Sequence, residues 1–373
     1  MKIGFDGKRV TKNFTGLGNY SRYVLKLLAR YYPKNYYSVY TVMPNNQPDD
    51  FSEFPSVGFH YAENKLFKSY WRSFGMVNDL KKEGIDLYHG LSNEIPLGLK
   101  KAGIPSVVTI HDLIFLRYPQ YYPFIDRKIY EFKSRHASAH ADKIIAISEQ
   151  TKRDIIHFFN IDEERIQVIY QNCDPIFHQT VSDEDKIRIR TAYNLPKKYL
   201  LNVGTIEARK NLMLAVKALK QLDMDIHMVV IGKETPYVQK VKEFINSNGL
   251  KKRVHFLRNV PFSDLPGIYQ QAEIFIYPSE FEGFGIPIIE ALYSGIPVIA
   301  VKGSCLEEAG GNGSIYVNPK DKMELADQIQ LVMRKPEKRQ AMISAGFEHL
   351  KQFSDKKIAK KLIQLYQNIL IDA

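Results

Sequence analysis

The stretch EIFIYPSEFEGFGIPIIEALYSGIPVIAV, residues 273 to 301, decides the fold. It opens on a β-branched and aromatic run at 273–278 and turns through Glu282-Gly283-Phe284-Gly285. An apolar segment with Pro287 in its first turn follows, and a second β-branched run closes the stretch at 297–301. Strand, glycine turn, helix and strand make a βαβ unit, which implies a parallel sheet. Proline costs no hydrogen bond at a first-turn position. The free N–H groups of such a helix start attract a phosphate, and glycines let it approach the main chain closely. Glu282 precedes the helix and Glu290 falls in its first turns, so two carboxylates can address one ligand from different ends. Taken alone, a Gly-rich turn and an early-helix glutamate also serve as structural devices in any α/β protein.

Working outward, the same alternation runs through the chain. Strand candidates in the first half are 2–6, 38–43, 85–90, 105–110, 143–148 and 165–170, with helix candidates at 19–31, 70–83, 124–141 and 149–159. The second half restarts at 199–204 and continues through 226–232, 253–257, 273–278 and 297–301. Two successive α/β sheets are expected, one in residues 1–180 and one from residue 190. The polar segment 174–197 reads as the linker. Beyond Asp321 there is no strand pattern, only two or three helices, the last with a lysine face through Lys356, Lys357, Lys360 and Lys361. Ligands of open α/β sheets bind outside the carboxyl ends of the strands, so chemistry belongs in the loops that follow strands.

Composition narrows the class. The chain has 373 residues, 45% hydrophobic and 25% charged, which suits a folded enzyme and excludes fibrous and disordered classes. No apolar run is long enough to span a bilayer: the best, Ile286 to Val301, is broken by Glu290, Gly295 and Pro297. Asp6 and Lys8 stand where a signal peptide needs its apolar stretch, and the only cysteines are Cys173 and Cys305. A cytoplasmic protein without disulfides is expected. The net charge of +11 favours an acidic partner, but both halves share the excess and no basic stripe marks a nucleic-acid surface.

Three further motifs carry chemistry. Val203-Gly204-Thr205-Ile206-Glu207-Ala208-Arg209-Lys210-Asn211 leaves a strand and enters a helix, and its adjacent cations can neutralise a diphosphate, Arg209 as a planar fork and Lys210 as a point charge. The plain alternative is a solvated helix start. Thr15-Gly16-Leu17-Gly18-Asn19-Tyr20 follows the amino-terminal strand and falls short of a dinucleotide fingerprint. His111 and Asp112 end the strand PSVVTI, at a carboxyl end where a packed or capping histidine is also common. Asp183-Glu184-Asp185 and Asp223-Met224-Asp225 mimic a D-x-D metal motif but read as turn residues, and no zinc spacing or nucleophile elbow occurs. Aromatic-basic stretches at 30–37, 65–72 and 121–124 suit either ordinary packing or a surface that stacks sugars and touches an anionic bilayer.

With these residues in place, the sequence resembles the retaining nucleotide-sugar glycosyltransferases of family 4, whose pattern is E-G-F-G, x-P-x-x-E-A and G-x-P-V. Here it stands as Glu282-Gly283-Phe284-Gly285, Pro287, Glu290-Ala291 and Gly295-Ile296-Pro297-Val298. The resemblance implies the GT-B architecture, two Rossmann-like α/β domains facing a central cleft. Residues 1–180 would bind the acceptor and 190–354 the nucleotide sugar, with a helix at 355–373 crossing back onto the first domain. It gives Glu282 the donor-sugar hydroxyls, the amides of Gly285 and Ile286 the distal phosphate, and Glu290 the ribose, with Gly283 and Phe284 also among the donor-binding residues. Arg209 and Lys210, in the family's G-x-x-x-x-R-K-N pattern, would clamp the diphosphate, although Thr205 stands where some members add another arginine. Gly16 and Gly18, with Asn19, would face the donor phosphates, and His111, in H-D-L-x-F-x-x-x-P, the reacting centre. The base would lie against 232–233 and 259–262.

The resemblance further implies a metal-independent, retaining transfer of a hexose to a saccharide or polyprenyl-linked acceptor, with no cofactor beyond the GDP- or UDP-linked donor. The wording of GTIEARKN and HDLIFLRYP is closest to bacterial surface-polysaccharide enzymes, many of them mannosyltransferases, which favours GDP-mannose. Peripheral contact with the inner face of the plasma membrane is part of that expectation. A nucleotide-sugar epimerase or hydrolase on the same scaffold, and a non-catalytic nucleotide-sugar-binding protein, are the alternatives.

Overall fold

A computed structural model of the chain describes residues 1–12, 16–42, 51–62 and 70–372. The chain divides into two compact units, Met1–Gln171 with Phe353–Ala373, and Asn172–Gln352.

The first unit is built on a seven-stranded sheet of β1 (Lys2–Asp6), β2 (Tyr36–Thr41), β3 (Val57–Tyr61), β4 (Leu87–Gly90), β5 (Ser106–Ile110), β6 (Lys143–Ala146) and β7 (Ile166–Val168). Their order is β3-β2-β1-β4-β5-β6-β7, and every pairing is parallel. β4 and β5 are buried along their whole length, as strands covered by helices on both faces must be, and they therefore read as nearly continuous apolar runs. Helices Gly16–Tyr31, Phe124–His140 and Glu149–Phe159 cover them. The 70–83 segment is a π-helical turn, Trp71–Gly75, running into helix Met76–Lys82. β3 has no counterpart among the sequence candidates: it is an edge strand, half-exposed and interrupted by Gly58, so its alternation is faint.

The second unit has six strands: β8 (Tyr199–Val203), β9 (His227–Ile231), β10 (Val254–Leu257), β11 (Ile274–Tyr277), β12 (Val298–Val301) and β13 (Ile315–Val317). Their order is β10-β9-β8-β11-β12-β13, again parallel throughout. β13, three residues at the sheet's edge, also lacked a sequence signal.

The segment read as a linker is part of this unit's body. Ser182 caps helix Asp183–Ala192 by accepting from Asp185 N, and Ile189 is buried against Gly267. The acidic run 183–185 is thus the first turn of a helix, where carboxylates complement the helix dipole, and not a turn between elements. The last three helices are Lys322–Arg334, Pro336–Leu350 and Asp355–Asp372. The final one belongs to the first unit. Its Tyr366 OH lies 2.7 Å from His89 Nδ1, and Tyr23 OH donates to Asp355 Oδ1 at 3.0 Å. Its lysine face is solvent-exposed, opposite buried Ile358, Ala359 and Leu362.

Candidate functional site

In both sheets the strand order reverses once, between β1 and β4 in the first and between β8 and β11 in the second. At such a reversal the loops leaving two adjacent strands diverge and open a crevice at their carboxyl ends. In the second unit those two loops carry the sequence candidates. Arg209 and Lys210 follow β8, and Glu282 follows β11.

The three side chains meet directly. Lys210 Nζ is 2.5 Å from Glu282 Oε1, and Arg209 Nη1 is 3.1 Å from Glu282 Oε2. Ser279 Oγ donates to Glu282 Oε1 at 2.6 Å and Tyr277 OH to the same oxygen at 3.1 Å. Lys210 Nζ also donates to Tyr277 OH at 2.7 Å. Arg209 is braced from below by Glu207 Oε1 at 2.7 Å and by the carbonyl of Phe281. Burial opposes the charge on Glu282, yet the Lys210 ammonium and the Arg209 guanidinium outweigh it and hold the carboxyl down at about 2. The same pairing raises the pKa of Arg209 against its own burial. Glu282 and Glu207 therefore balance the two cations.

Main-chain geometry fixes the loops. Gly285 takes φ +121° as it enters helix Ile286–Tyr293, and a Cβ there would come 3.1 Å from Leu306 Cδ2. Cys305 Sγ sits under the turn, 3.0 Å from the carbonyl of Glu282 and 3.2 Å from that of Phe284. The loop after β9 closes on the loop after β8 so tightly that a Cβ on Gly232 would fall 1.8 Å from the Gly204 carbonyl oxygen. Phe284 is buried, whereas Gly283 and Ile286 remain partly accessible.

Glu290 lies in a different environment. Tyr269 OH donates to its Oε2 at 2.8 Å, but burial first and the charge of Asp174 second push its carboxyl up to about 7. The two carboxylates thus differ: Glu282 is ionised at every physiological pH, while Glu290 titrates near neutrality.

Gly16, Gly18 and His111 belong to the first unit. Gly16 opens helix Gly16–Tyr31 and is exposed, Gly18 is buried, and Asn19 Oδ1 accepts from Arg22 at 2.6 Å. His111 is buried edge-on against Tyr20, with ring centroids 4.6 Å apart. Its Nε2 must donate to the Leu91 carbonyl 2.8 Å away, leaving Nδ1 as an acceptor. Burial, helped by the charge of Arg9, lowers its pKa to about 4. Behind it, His89 Nε2 and Tyr20 OH share Thr109 Oγ1 at 2.8 and 3.1 Å.

Tyr277, Ser279 and Tyr269 escaped the sequence reading. Tyr277 and Ser279 bracket the end of β11 within five residues of Glu282, and a polar side chain at the carboxyl end of a strand was the available signal. Tyr269 reaches Glu290 from another helix, Leu265–Gln270, and carried no local signal.

The family model described as glycosyl transferases group 1 matches residues 183–349, and the model of glycosyltransferase family 4 matches residues 21–175. The chain belongs to the family 4 glycosyltransferases. It is similar to O-antigen chain mannosyltransferase B of Escherichia coli, 29% identical over 287 residues that cover 75% of this chain and 74% of that protein. The O-antigen chain mannosyltransferase RfbU of Salmonella typhimurium is 30% identical over 234 residues, 62% of each chain. Among solved structures, the sucrose-phosphate synthase from Thermosynechococcus elongatus superposes with a TM-score of 0.78 at 20% identity, covering 100% of both chains. Anabaena HepE in complex with UDP and glucose gives 0.75 at 19% identity, over 99% of this chain and 100% of that one. Two parallel-sheet α/β units with a final helix returned to the first are the GT-B architecture of this family. Among the described residues no helix is long and apolar enough to cross a membrane.

Proposed function

We propose that the chain transfers a hexose, in the first place mannose, from a GDP- or UDP-linked donor to a hydroxyl of a saccharide or polyprenyl-linked saccharide, with retention at the anomeric carbon, in bacterial surface-polysaccharide synthesis. The observation that carries this reading is the Arg209–Lys210–Glu282 cluster at the β8/β11 reversal, beside the Gly285 helix start. The names of the two O-antigen relatives support mannose, and the UDP in the HepE complex supports a nucleotide-sugar donor.

In this reading the donor's diphosphate takes Arg209 and Lys210 from Glu282, whose carboxylate turns to the sugar hydroxyls. Glu290 accepts from the ribose diol. The two cations and the amides of Gly283 to Ile286 stabilise the charge that develops on the leaving diphosphate, which accepts the acceptor's proton on the same face. Because the protein's own cations meet that charge, the reaction is proposed to need no metal. Neutral His111 offers Nδ1 to a hydroxyl near the reacting centre.

The enzyme is proposed to work in the cytoplasm, docked on the inner membrane face. Helix Phe124–His140 supports that contact: Phe124, Ile125 and Phe132 are 65%, 71% and 68% exposed beside Arg127, Lys128 and Arg135. Of the stretch 65–72, residues 65–69 lie outside the described residues. Docking predicts sedimentation with anionic but not neutral vesicles, lost at high salt.

The function is tested by incubating the chain with GDP-mannose or UDP-glucose and a polyprenyl-linked oligosaccharide, following the anomeric configuration of the product by NMR. Transfer with retention is expected. Donor hydrolysed or epimerised at full rate without acceptor would overturn the assignment in favour of the other reaction on this scaffold.

A further inference from the structure

The first unit has the same strand reversal as the second, at β1 and β4, and a charged cluster stands there that donor binding leaves unused. Asp6 ends β1, Lys8 and Arg9 open the short helix that follows, and Glu94 lies in the loop after β4. Arg72 Nη2 donates to Asp6 Oδ2 and Glu94 Oε1, both at 2.6 Å. Lys133 Nζ donates to Glu94 Oε2 at 2.7 Å, and Lys8 Nζ stands 3.7 Å from Glu94 Oε1. Arg9 acts electrostatically on both Lys8 and His111, so its charge lies between the ends of β1 and β5.

The cluster is not a balanced structural network. Among the described residues three cations, Lys8, Arg72 and Lys133, meet two carboxylates with Arg9 next to Lys8 in the chain, and the Nε atoms of Arg9 and Arg72 are buried without a hydrogen-bond partner. Leaving guanidinium donors buried and unpaired is costly, and crowding like charges adds to the cost. Burial first, and then the charge of Arg72, lower the pKa of Lys8 even though Glu94 stands beside it. A multiply charged anion with several acceptor oxygens removes both penalties, since guanidinium forks match phosphate oxygens. A neutral sugar removes neither.

We propose that the carboxyl edge of β1 and β4 binds a phosphoryl group through Arg9 and Lys8, backed by Arg72 and Lys133, and that the acceptor therefore carries a phosphate or diphosphate. The clause about the acceptor rests on the glycosyl-transfer reading above; the anion site does not. The phosphoryl group can come from a lipid-linked diphosphate or from a water-soluble phosphate ester.

The test uses the full chain carrying Arg209→Ala and Lys210→Ala, which removes the second unit's cations, titrated calorimetrically at one ionic strength with inorganic pyrophosphate and with farnesyl diphosphate. Both ligands are expected to bind, and adding Arg9→Gln is expected to weaken them by roughly 10-fold or more, the loss of a charged hydrogen-bond donor. Tighter binding of farnesyl diphosphate identifies the lipid source, and equal binding the water-soluble one. If Arg9→Gln lowers the melting temperature, Lys8→Gln and Lys133→Gln give the same comparison. No pyrophosphate binding, or affinity unchanged by all three substitutions, overturns the site. Arg9→Gln alone should leave GDP and UDP binding at the wild-type level. A wild-type chain that binds pyrophosphate but neither nucleotide would defeat the donor reading and leave this site standing.

Discussion

Glu282→Gln should tighten the binding of a sugar-free nucleoside diphosphate while lowering turnover. On the proposed function the carboxylate competes with the donor diphosphate for two cations, gripping Lys210 at 2.5 Å and Arg209 at 3.1 Å. Holding a side chain that is only 12% exposed at about 2, against an ordinary 4.5, favours its ionised form by about 3 kcal/mol. An incoming diphosphate must displace part of that interaction. Glutamine keeps the shape and can still accept from Ser279 and Tyr277, but it returns the cations' charge to the ligand. Recovery of about 1–2 kcal/mol predicts nucleoside diphosphates binding roughly 5- to 30-fold more tightly. The unliganded variant should melt lower, because two neighbouring cations lose their shared counter-ion, and should regain more on adding GDP or UDP than the wild type does. Calorimetric titration of GDP and UDP, beside initial rates with the sugar donor, reads both effects. A folded variant that binds nucleoside diphosphates equally or more weakly would refute the displacement of Glu282 from Arg209 and Lys210.

Three more outcomes are expected. Glu290, raised to about 7, is largely protonated at pH 6 and ionised at pH 8; if its carboxylate accepts from the ribose, nucleotide affinity rises across that window, and Glu290→Gln abolishes the rise. The linked stability runs the other way: the raised pKa contributes stability that is complete below the ordinary carboxylate range and lost as pH rises through about 7, which thermal melts of wild type and Glu290→Gln can resolve. His111 stays neutral above about 4, so the pH–rate profile should show no step from it between pH 5 and 9, and His111→Ala should lower turnover without changing nucleoside diphosphate affinity. Arg209→Ala with Lys210→Ala should lower turnover at saturating donor by roughly 100-fold, and should cut diphosphate affinity far more than nucleoside affinity; an unchanged ratio of the two affinities places the phosphates elsewhere.

How far the sequence shows this site depends on which interactions are local. The strand, glycine turn and helix at 273–301 are visible because all their determinants lie within one window: β-branched periodicity, a glycine that adopts φ +121°, and a first-turn proline. The two edge strands are not, since β3 is half-exposed and β13 has three residues, and neither buries enough alternate side chains to leave a pattern. Helix Asp183–Ala192 looked like a linker because its face is mostly polar and only Ile189 is buried, yet Ser182 and the acidic first turn formed a legible cap.

The decisive contacts are of another kind. Arg209 and Lys210 follow one strand and Glu282 another, more than sixty residues on, and the sequence assigns them to different parts of a ligand. Their mutual pairing arises because β11 lies beside β8 and not beside β10, a non-consecutive neighbour that periodicity cannot specify. The same step in the first unit sets β4 beside β1, bringing Glu94 to Lys8 and seating Arg72 between Asp6 and Glu94. Of that cluster only Lys8 and Arg9 are adjacent in the chain, after a strand as Arg209 and Lys210 are, and neither is a site candidate in the sequence. The two pairs differ in their compensation. In the second unit the cations are balanced by Glu282 and Glu207, so an anion must displace a carboxylate. In the first, among the described residues, Lys8, Arg72 and Lys133 outnumber Asp6 and Glu94, so on the proposed reading an anion would enter without displacing a carboxylate. Phosphoryl binding by the first unit should therefore be insensitive to the substitution that strengthens it in the second, and measuring the effect of Glu282→Gln on pyrophosphate affinity both in the wild-type chain, where it should tighten binding, and in Arg209→Ala/Lys210→Ala, where it should not, separates the two sites.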